Sequence, residues 1–208
     1  MDAGDDPYAP YYPGDEYVDW VGASIYTYGS AWPWEDNVVA PEGKFESILN
    51  QADMYQAYSV RRNKPFMITE TAATFHTNTP LGPGVGELAT KQSWWRQYIT
   101  NPTFLRNYPQ VKFICLFEFQ KYEDTFSNGV EDLRDFRITW STPIRNAFLE
   151  DFNAAKSFYL FGNGSDTNTS ISRTGSIQAT PTPTISGHQD TKSLSVYFWS
   201  LLGLLWVV

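Results

Sequence analysis

KPFMITE, at residues 64–70, is the segment from which the fold can be worked out. It is short, rich in β-branched and aromatic residues, nearly continuous in apolar character and closed by a carboxylate. Such a pattern is typical of a strand in a parallel sheet that is covered on both faces. Two further segments share it, YVDWVGASIY at residues 17–26 and VKFICLFEF at residues 111–119. The sequence therefore predicts three buried strands.

Helical patterns lie between and after these strands. Apolar residues recur every three or four positions over residues 45–58, which predicts one helix, and a second helix is predicted over residues 87–99. A short third helix should start at Asn101-Pro102 and a last one at Thr142-Pro143, because proline is well suited to the first turn. Strands that alternate with helices predict a parallel α/β sheet with right-handed crossovers.

Two architectures fit this order, an open doubly wound sheet and part of a (β/α)8 barrel. A nucleotide-binding sheet is disfavoured, since the glycines at residues 82–86 lie too far past the second strand to form a phosphate-binding loop. In barrels, catalysis occurs at the carboxyl ends of the strands. The residues at those predicted ends are Tyr26, Glu70, Glu118 and Phe119.

Composition excludes several functions. The 208-residue chain has 15 basic and 23 acidic residues, and this net charge of -8 disfavours a nucleic-acid partner. The single cysteine, Cys115, excludes an intrachain disulfide and a cysteine metal cluster, and two histidines exclude a histidine-rich metal site. We therefore expect no cofactor and no metal. Aromatic residues make up 17% of the chain, and flat apolar rings beside carboxylates suit sugar binding.

Glu70 is the residue best placed for chemistry, because a rigid strand would hold its carboxylate at the mouth of the sheet. It could equally cap the loop that follows. The functional alternative is the nucleophile of a retaining glycosidase, which needs two carboxyl groups roughly 5–5.5 Å apart. Glu118 is a candidate for the second group, but its direction is open, since the flanking Phe117 and Phe119 would face the other side of the strand.

The chain resembles glycoside hydrolase family 26, which includes the β-mannanases. DPYAPYYPGDEYVDWVGASIYTYG at residues 6–29 is similar to the stretch that enters the sixth barrel strand of that family. KPFMITETAA at residues 64–73 is similar to its seventh strand, and SWWRQYITN and FICLFEFQK are similar to the next helix and the eighth strand. The similarity covers residues 6–155. It implies the C-terminal three βα units of a (β/α)8 TIM barrel.

The resemblance implies a retaining hydrolase of β-linked, mannan-like polysaccharide that works by double displacement. Glu70 would be the nucleophile, Tyr26 would hydrogen-bond and orient it, and Trp32 and Trp34 would be sugar platforms. Phe119 stands near the position where the family often has a tryptophan platform. The family's acid/base glutamate ends strand four, so we expect this chain to be N-terminally truncated, without that residue, and inactive alone.

Two alternatives remain open. One is a non-catalytic, cell-surface polysaccharide-binding protein with a degenerate barrel. The other is an unrelated α/β domain of three units that has no sugar function. A glutamate at the end of a fourth strand would favour the enzyme over the binding protein.

The C-terminal part differs from the barrel-like residues 1–162. Residues 163–193 are rich in Ser and Thr and predict a disordered stalk, with possible N-glycosylation sites at Asn163 and Asn168. Residues 194–208, LSVYFWSLLGLLWVV, have no charge but are shorter than the roughly 20 residues of a spanning helix. They match a GPI-anchor signal, with a retained short anchor or a buried terminal strand as alternatives.

These features predict a secreted or cell-surface glycoprotein that is attached to the membrane by a C-terminal lipid anchor. The N-terminus has no basic start and no apolar run, so no signal peptide is visible.

Two further groups are predicted to be solvated. His76 falls in a polar segment after the second strand, where a loop histidine is expected. Acidic residues surround Asn128-Gly129, but their spacing does not match an EF-hand calcium loop. We therefore predict a solvated acidic loop, formed by Glu123, Asp124, Glu131, Asp132 and Asp135.

Overall fold

A computed structural model describes residues 6–78, 82, 84–124 and 131–160, together with the backbone of Leu204–Val207. The chain divides into one unit of Met1–Phe161 with Leu202–Val208 and a second unit, Gly162–Leu201. The second unit lies outside the described residues, as do the predicted stalk and most of residues 194–208.

Eight strands and four helices make up the described fold. The strands are β1 (Val21–Thr27), β2 (Phe66–Ala73), β3 (Phe75–His76), β4 (Val111–Leu116), β5 (Gln120–Asp124), β6 (Glu131–Asp135), β7 (Tyr159–Leu160) and β8 (Leu204–Val207). The helices are α1 (Lys44–Leu49), α2 (Glu87–Trp95), α3 (Pro102–Asn107) and α4 (Thr142–Asn153).

The main sheet has the order β1-β2-β4-β8-β7. Strands β1, β2 and β4 are parallel and adjacent in chain order, which confirms the predicted arrangement. Strand β8 pairs antiparallel with both β4 and β7, so the backbone of this tail segment forms a terminal strand. The described strands of the main sheet form an open sheet. That these strands belong to a (β/α)8 barrel remains a proposal.

Helices α1, α2 and α4 cover one face of this sheet. Their side chains form a single core with the inward residues of the parallel strands, among them Ile25, Phe66, Ile68, Ile114, Phe45, Trp94, Trp95 and Phe148. The two adjacent tryptophans point to different neighbours, as expected from their spacing. The indole of Trp94 donates to Thr71 of β2, and that of Trp95 donates to Asp151 of α4.

Helix starts were predicted better than helix continuity. The Asn101 side chain accepts hydrogen bonds from the backbone of Thr103 and Phe104, which confirms the predicted N-cap. The prediction of a single helix over residues 45–58 is wrong. The backbone turns left-handed at Ala52 and Asp53, so α1 ends at Leu49 and a separate π-helical segment spans Tyr55–Val60.

A second, antiparallel sheet has the order β3-β6-β5 and was not predicted. The prediction of solvated acidic residues holds for Asp124 and Glu131, which are exposed, and is wrong for Asp132 and Asp135; the loop at residues 125–130 lies outside the described residues. Asp132 and Asp135 are buried in β6, and Asp135 accepts a hydrogen bond from the buried Lys91 ammonium at 3.1 Å. Ion pairing makes this burial tolerable.

A search for membrane-spanning helices among the described residues found none with the required length and apolar character.

Candidate active site

A β-bulge in β2 determines where Glu70 points. Ala23 of β1 pairs with Ile68, and the next residue, Ser24, pairs with Glu70, so Thr69 is one extra residue in β2. A bulge changes the direction of the side chains around it. Gly22 leaves room for the extra residue, because a Cβ at this position would lie 2.8 Å from the Thr69 methyl group.

The bulge inverts the alternation of side chains along β2. Before it, Phe66 and Ile68 are fully buried under the helices, and after it Thr71 lies on that face, where its hydroxyl accepts a hydrogen bond from the indole of Trp94; Ala72 and Ala73 are buried as well. Glu70 and Thr69 consequently share the opposite, helix-free face. Strand β2 continues to Ala73, so the prediction that Glu70 closes the strand is wrong, although its side chain is exposed.

Tyr26 fixes the Glu70 carboxylate. Its hydroxyl donates a hydrogen bond to Oε2 of Glu70 at 2.9 Å, so the contact expected from the sequence is present. Burial, together with this hydrogen bond, raises the pKa of Tyr26 far above its usual range. The hydroxyl therefore stays protonated and remains a donor at any physiological pH.

Aromatic rings surround this hydrogen bond. The Tyr26 ring lies 5.8 Å from that of Phe117 and 6.0 Å from that of Phe136, both edge-on. Phe119, a predicted platform, is 44% exposed, and its ring lies 6.0 Å from that of Phe117. Phe136 gave no signal in the sequence, because it follows the unpredicted strand β6.

A cleft of about 570 Å³ opens beside these rings. Its lining residues are Tyr28, Trp34, Tyr122, Glu123, Asp124, Glu131 and Arg134. Tyr28 connects it to the Glu70 site, since its ring lies 5.9 Å from that of Tyr26. The volume is within the range of small-molecule sites.

The two predicted tryptophan platforms differ in position. Trp34 lines the cleft, whereas Trp32 does not, although 64% of its surface is exposed. The turn that holds Trp34 is closed by Asp36, whose carboxylate accepts hydrogen bonds from the backbone and hydroxyl of Ser30.

Glu118 faces away from Glu70 and has a structural role. Its carboxylate accepts hydrogen bonds from the backbone of Ile138 at 2.7 Å and from the backbone and hydroxyl of Thr139 at 3.2 and 2.6 Å. It lines a small space under α2 together with Trp94, whereas Phe117 packs against Tyr26 on the other face. The structure therefore does not bring Glu118 and Glu70 together.

His76 is buried, so the prediction of a solvated histidine is wrong. Its backbone exchanges two hydrogen bonds with the Asn37 side chain. Its Nε2 lies 2.7 Å from the carbonyl oxygen of Tyr28, and its Nδ1 lies 3.3 Å from Asp132. A carbonyl only accepts, so Nε2 must hold a proton. His76 thereby ties the second sheet to the loop that supplies Tyr28 and Trp34.

The charges near Tyr28 are partly compensated. Arg134, which is 4% exposed, donates to Glu123 at 2.6 Å and lies over the Tyr28 ring. Burial and the nearby Glu123 raise the pKa of Tyr28 to about 12, against the opposing effect of Arg134. Within the described part of the chain, no group of three or more histidine, cysteine or acidic side chains is placed to hold a metal ion.

Comparison of the chain with protein-family models, curated proteins and solved structures gave no match. The functional interpretation therefore rests on the residues and geometry of the site.

Proposed function

We propose that this chain holds the nucleophile of a retaining glycoside hydrolase that acts on β-linked, mannan-like polysaccharide. The observation that supports it best is the hydrogen bond from Tyr26 to Glu70 on the helix-free face of the sheet. An exposed carboxylate held beside aromatic rings and a cleft has the position that a nucleophile for a sugar ring requires.

In this mechanism, one Glu70 oxygen attacks the anomeric carbon, the carbon–oxygen bond to the leaving sugar breaks, and a covalent glycosyl ester forms. Water then hydrolyses the ester. Tyr26 occupies Oε2, so we assign the attack to Oε1, which accepts no hydrogen bond from the described residues. The donor fixes the carboxylate before the reaction, which lowers the entropic cost of reaching the transition state.

The leaving oxygen needs a proton from a second carboxyl group. Glu118 cannot supply it, because its carboxylate is bound to Ile138 and Thr139. We assign the acid/base role to no described residue, and we expect no hydrolysis of polysaccharide by this chain alone. General acid catalysis contributes about 10²- to 10⁴-fold.

A reagent that needs no protonation tests the nucleophile directly. A 2-deoxy-2-fluoro-β-mannosyl fluoride releases fluoride without a general acid, while its 2-fluorine slows hydrolysis of the ester. We expect the chain to gain one fluorosugar, and peptide mass spectrometry should place it on Glu70.

The matched control is Glu70→Gln, which keeps the size of the side chain and removes its nucleophilicity. It should give no adduct, with unchanged near-UV circular dichroism. An adduct on another residue, or no adduct on the folded wild-type chain, would overturn the assignment.

A non-catalytic polysaccharide-binding protein is the second candidate. The observation that favours it is the engagement of Glu118 by Ile138 and Thr139, which leaves Glu70 without the second carboxyl group that the sequence offered for it. This function predicts polysaccharide binding by the wild-type chain, unchanged in Glu70→Gln, and no covalent adduct.

We also propose that the protein is secreted and reaches the cell surface through a C-terminal GPI anchor. The charge-free composition of residues 194–208 supports this proposal, in which cleavage of the signal removes strand β8 from between β4 and β7. Mass spectrometry of the surface form should lack this segment, and detection of an intact Val208 would contradict the anchor.

A further inference from the structure

Two carboxylates in the wall of the cleft lie opposite each other, and no cation of the described residues forms an ion pair with either of them. Asp124 of β5 and Glu131 of β6 are direct partners across the hairpin, and both are exposed. Neither forms a salt bridge with a described residue. Like charges at directly opposite positions of an antiparallel pair destabilise it. This pair therefore imposes a concentrated negative potential on the cleft.

Glu123, their neighbour in the same wall, differs from them. It forms salt bridges with Lys121 and with Arg134, both at 2.6 Å. The positive charges nearest the cleft are thus already engaged.

The rest of the cleft suits an uncharged sugar. Trp34, Tyr28 and Tyr122 supply flat apolar rings against which pyranose rings can pack. Exposed carboxylates are good acceptors for sugar hydroxyls. A neutral sugar can satisfy both kinds of group, whereas a sugar carboxylate would be repelled by the opposed pair.

We propose that this cleft accepts uncharged glycans and rejects glycans that carry carboxylates, with Asp124 and Glu131 as the residues that determine this specificity. The inference rests on the proposed function and names the substrate class of the same site. For a ligand carboxylate about 6 Å from each member of the pair, Coulomb repulsion at the dielectric constant of water, about 80, corresponds to roughly tenfold weaker binding at low salt.

Paired ligands of the same length provide the test. Calorimetric titration of the 208-residue chain would compare β-1,4-mannohexaose with the same oligosaccharide oxidised at C6 to carboxylates. We expect the oxidised ligand to bind about tenfold more weakly at low salt, and the difference to shrink in about 1 M salt, where the Debye length is about 3 Å.

The double variant D124N/E131Q should bring the two affinities together at low salt, because it removes the charges that repel the oxidised ligand while each amide keeps one hydrogen-bond acceptor. The control E42Q/E150Q removes the same number of exposed charges elsewhere, before α1 and in α4, and should keep the difference. Equal binding of both ligands by the wild-type chain, or a difference that D124N/E131Q does not reduce, would overturn this inference alone. Binding of neither ligand would overturn the proposed function as well.

Discussion

The Tyr26 hydroxyl is the smallest feature on which the proposed chemistry depends. It is the one hydrogen-bond donor to Glu70 among the described residues, and the surrounding rings hold it in place. Its effect can be separated from packing, because phenylalanine keeps the ring and removes only the donor.

Tyr26→Phe should therefore slow adduct formation at Glu70 by about 10- to 100-fold, since a hydrogen bond to a charged group is worth about 1.5–3 kcal/mol. The rate is measured by intact-mass spectrometry over time. Ser24→Ala is the control, because it removes a hydroxyl from the same face whose partner is Thr69. An equal rate in Tyr26→Phe and wild type would show that this contact does not position the carboxylate.

At the scale of single residues, the sequence predicted the contact between Tyr26 and Glu70 but gave no sign of the positions of Phe136 and His76. The first two lie in segments with a recognisable strand pattern. Phe136 and His76 acquire their positions from the antiparallel sheet, which brings together residues far apart in the chain. A buried histidine and a loop histidine look alike in a sequence, since the difference lies in partners such as Asp132.

At the scale of the secondary-structure elements, Glu118 links two parts of the chain. It follows strand β4 and accepts hydrogen bonds from the segment that precedes α4. Glu118→Ala would leave the backbone N–H groups of Ile138 and Thr139 without their acceptor. We expect a loss of about 2–3 kcal/mol, which lowers the Tm by roughly 5–10 °C in a domain of this size. Adduct formation at Glu70 should continue in the folded protein. Loss of the adduct with an unchanged Tm, measured by differential scanning calorimetry, would instead give Glu118 a catalytic role.

Helices α2 and α4 are joined through Asp151, which accepts hydrogen bonds from Gln92, Trp95 and Arg96. Burial raises the pKa of Asp151, but hydrogen bonds from Arg96, Trp95 and Gln92 outweigh it, so the pKa is lowered in the folded state. A lowered pKa means that this stabilisation is complete above the unfolded value of about 3.9 and is lost as the pH falls through the folded value.

The wild-type protein should therefore have a higher free energy of unfolding than Asp151→Asn near neutral pH. This difference should become smaller as the pH falls below about 4. Urea unfolding at several pH values measures it, with the exposed neighbour Glu150→Gln as the control. A gap that stays constant down to acid pH would contradict the proposed ion pairing.

The sequence predicted the elements of the helical layer and missed those of the second sheet. Regular apolar spacing indicates a helix, but the left-handed turn at Ala52 and Asp53 contains no glycine that would signal it. Strand β6, EDLRD, alternates in burial but not in polarity, because its inward residues are charged and paired. Hydrophobic patterning cannot detect such a strand.

For the whole molecule, the exposed edge of β1 is the main structural liability. Strand β1 is the terminal strand of the main sheet and pairs with β2 along its whole length on one side. No described strand pairs with that edge. Unpaired edges promote association between chains.

We expect the 208-residue chain to self-associate as its concentration rises, as measured by sedimentation velocity. Ser24→Lys places a charge on the edge strand and should reduce this association. A chain that stays monomeric at all concentrations and unfolds in one sharp thermal transition would show that the edge is protected.

The parallel order of β1, β2 and β4 followed from the alternation of strands and helices, since such crossovers place successive strands side by side. The position of β8 did not follow from this alternation, because pairing with an antiparallel strand that is distant in the chain produces no periodic pattern in the sequence. The open edge of β1 was expected for the first of three such strands, whereas the face that carries Glu70 depends on the bulge at Thr69 and gave no signal in the sequence.

The bulge at Thr69 has a consequence for chain shortening. Because Thr69 is unpaired, its deletion would leave Glu70 opposite Ser24 and Thr71 opposite Ile25. Deletion of Glu70 instead would move Thr69 into the same place, with the same chain length and the same strand register. Deletion of Ile68 would instead place Thr69 opposite Ala23, where a shorter, polar side chain would replace one that is fully buried. Deletion of Thr69 and deletion of Glu70 thus give two proteins of the same length and the same strand register. The first retains the carboxylate, and the second lacks it.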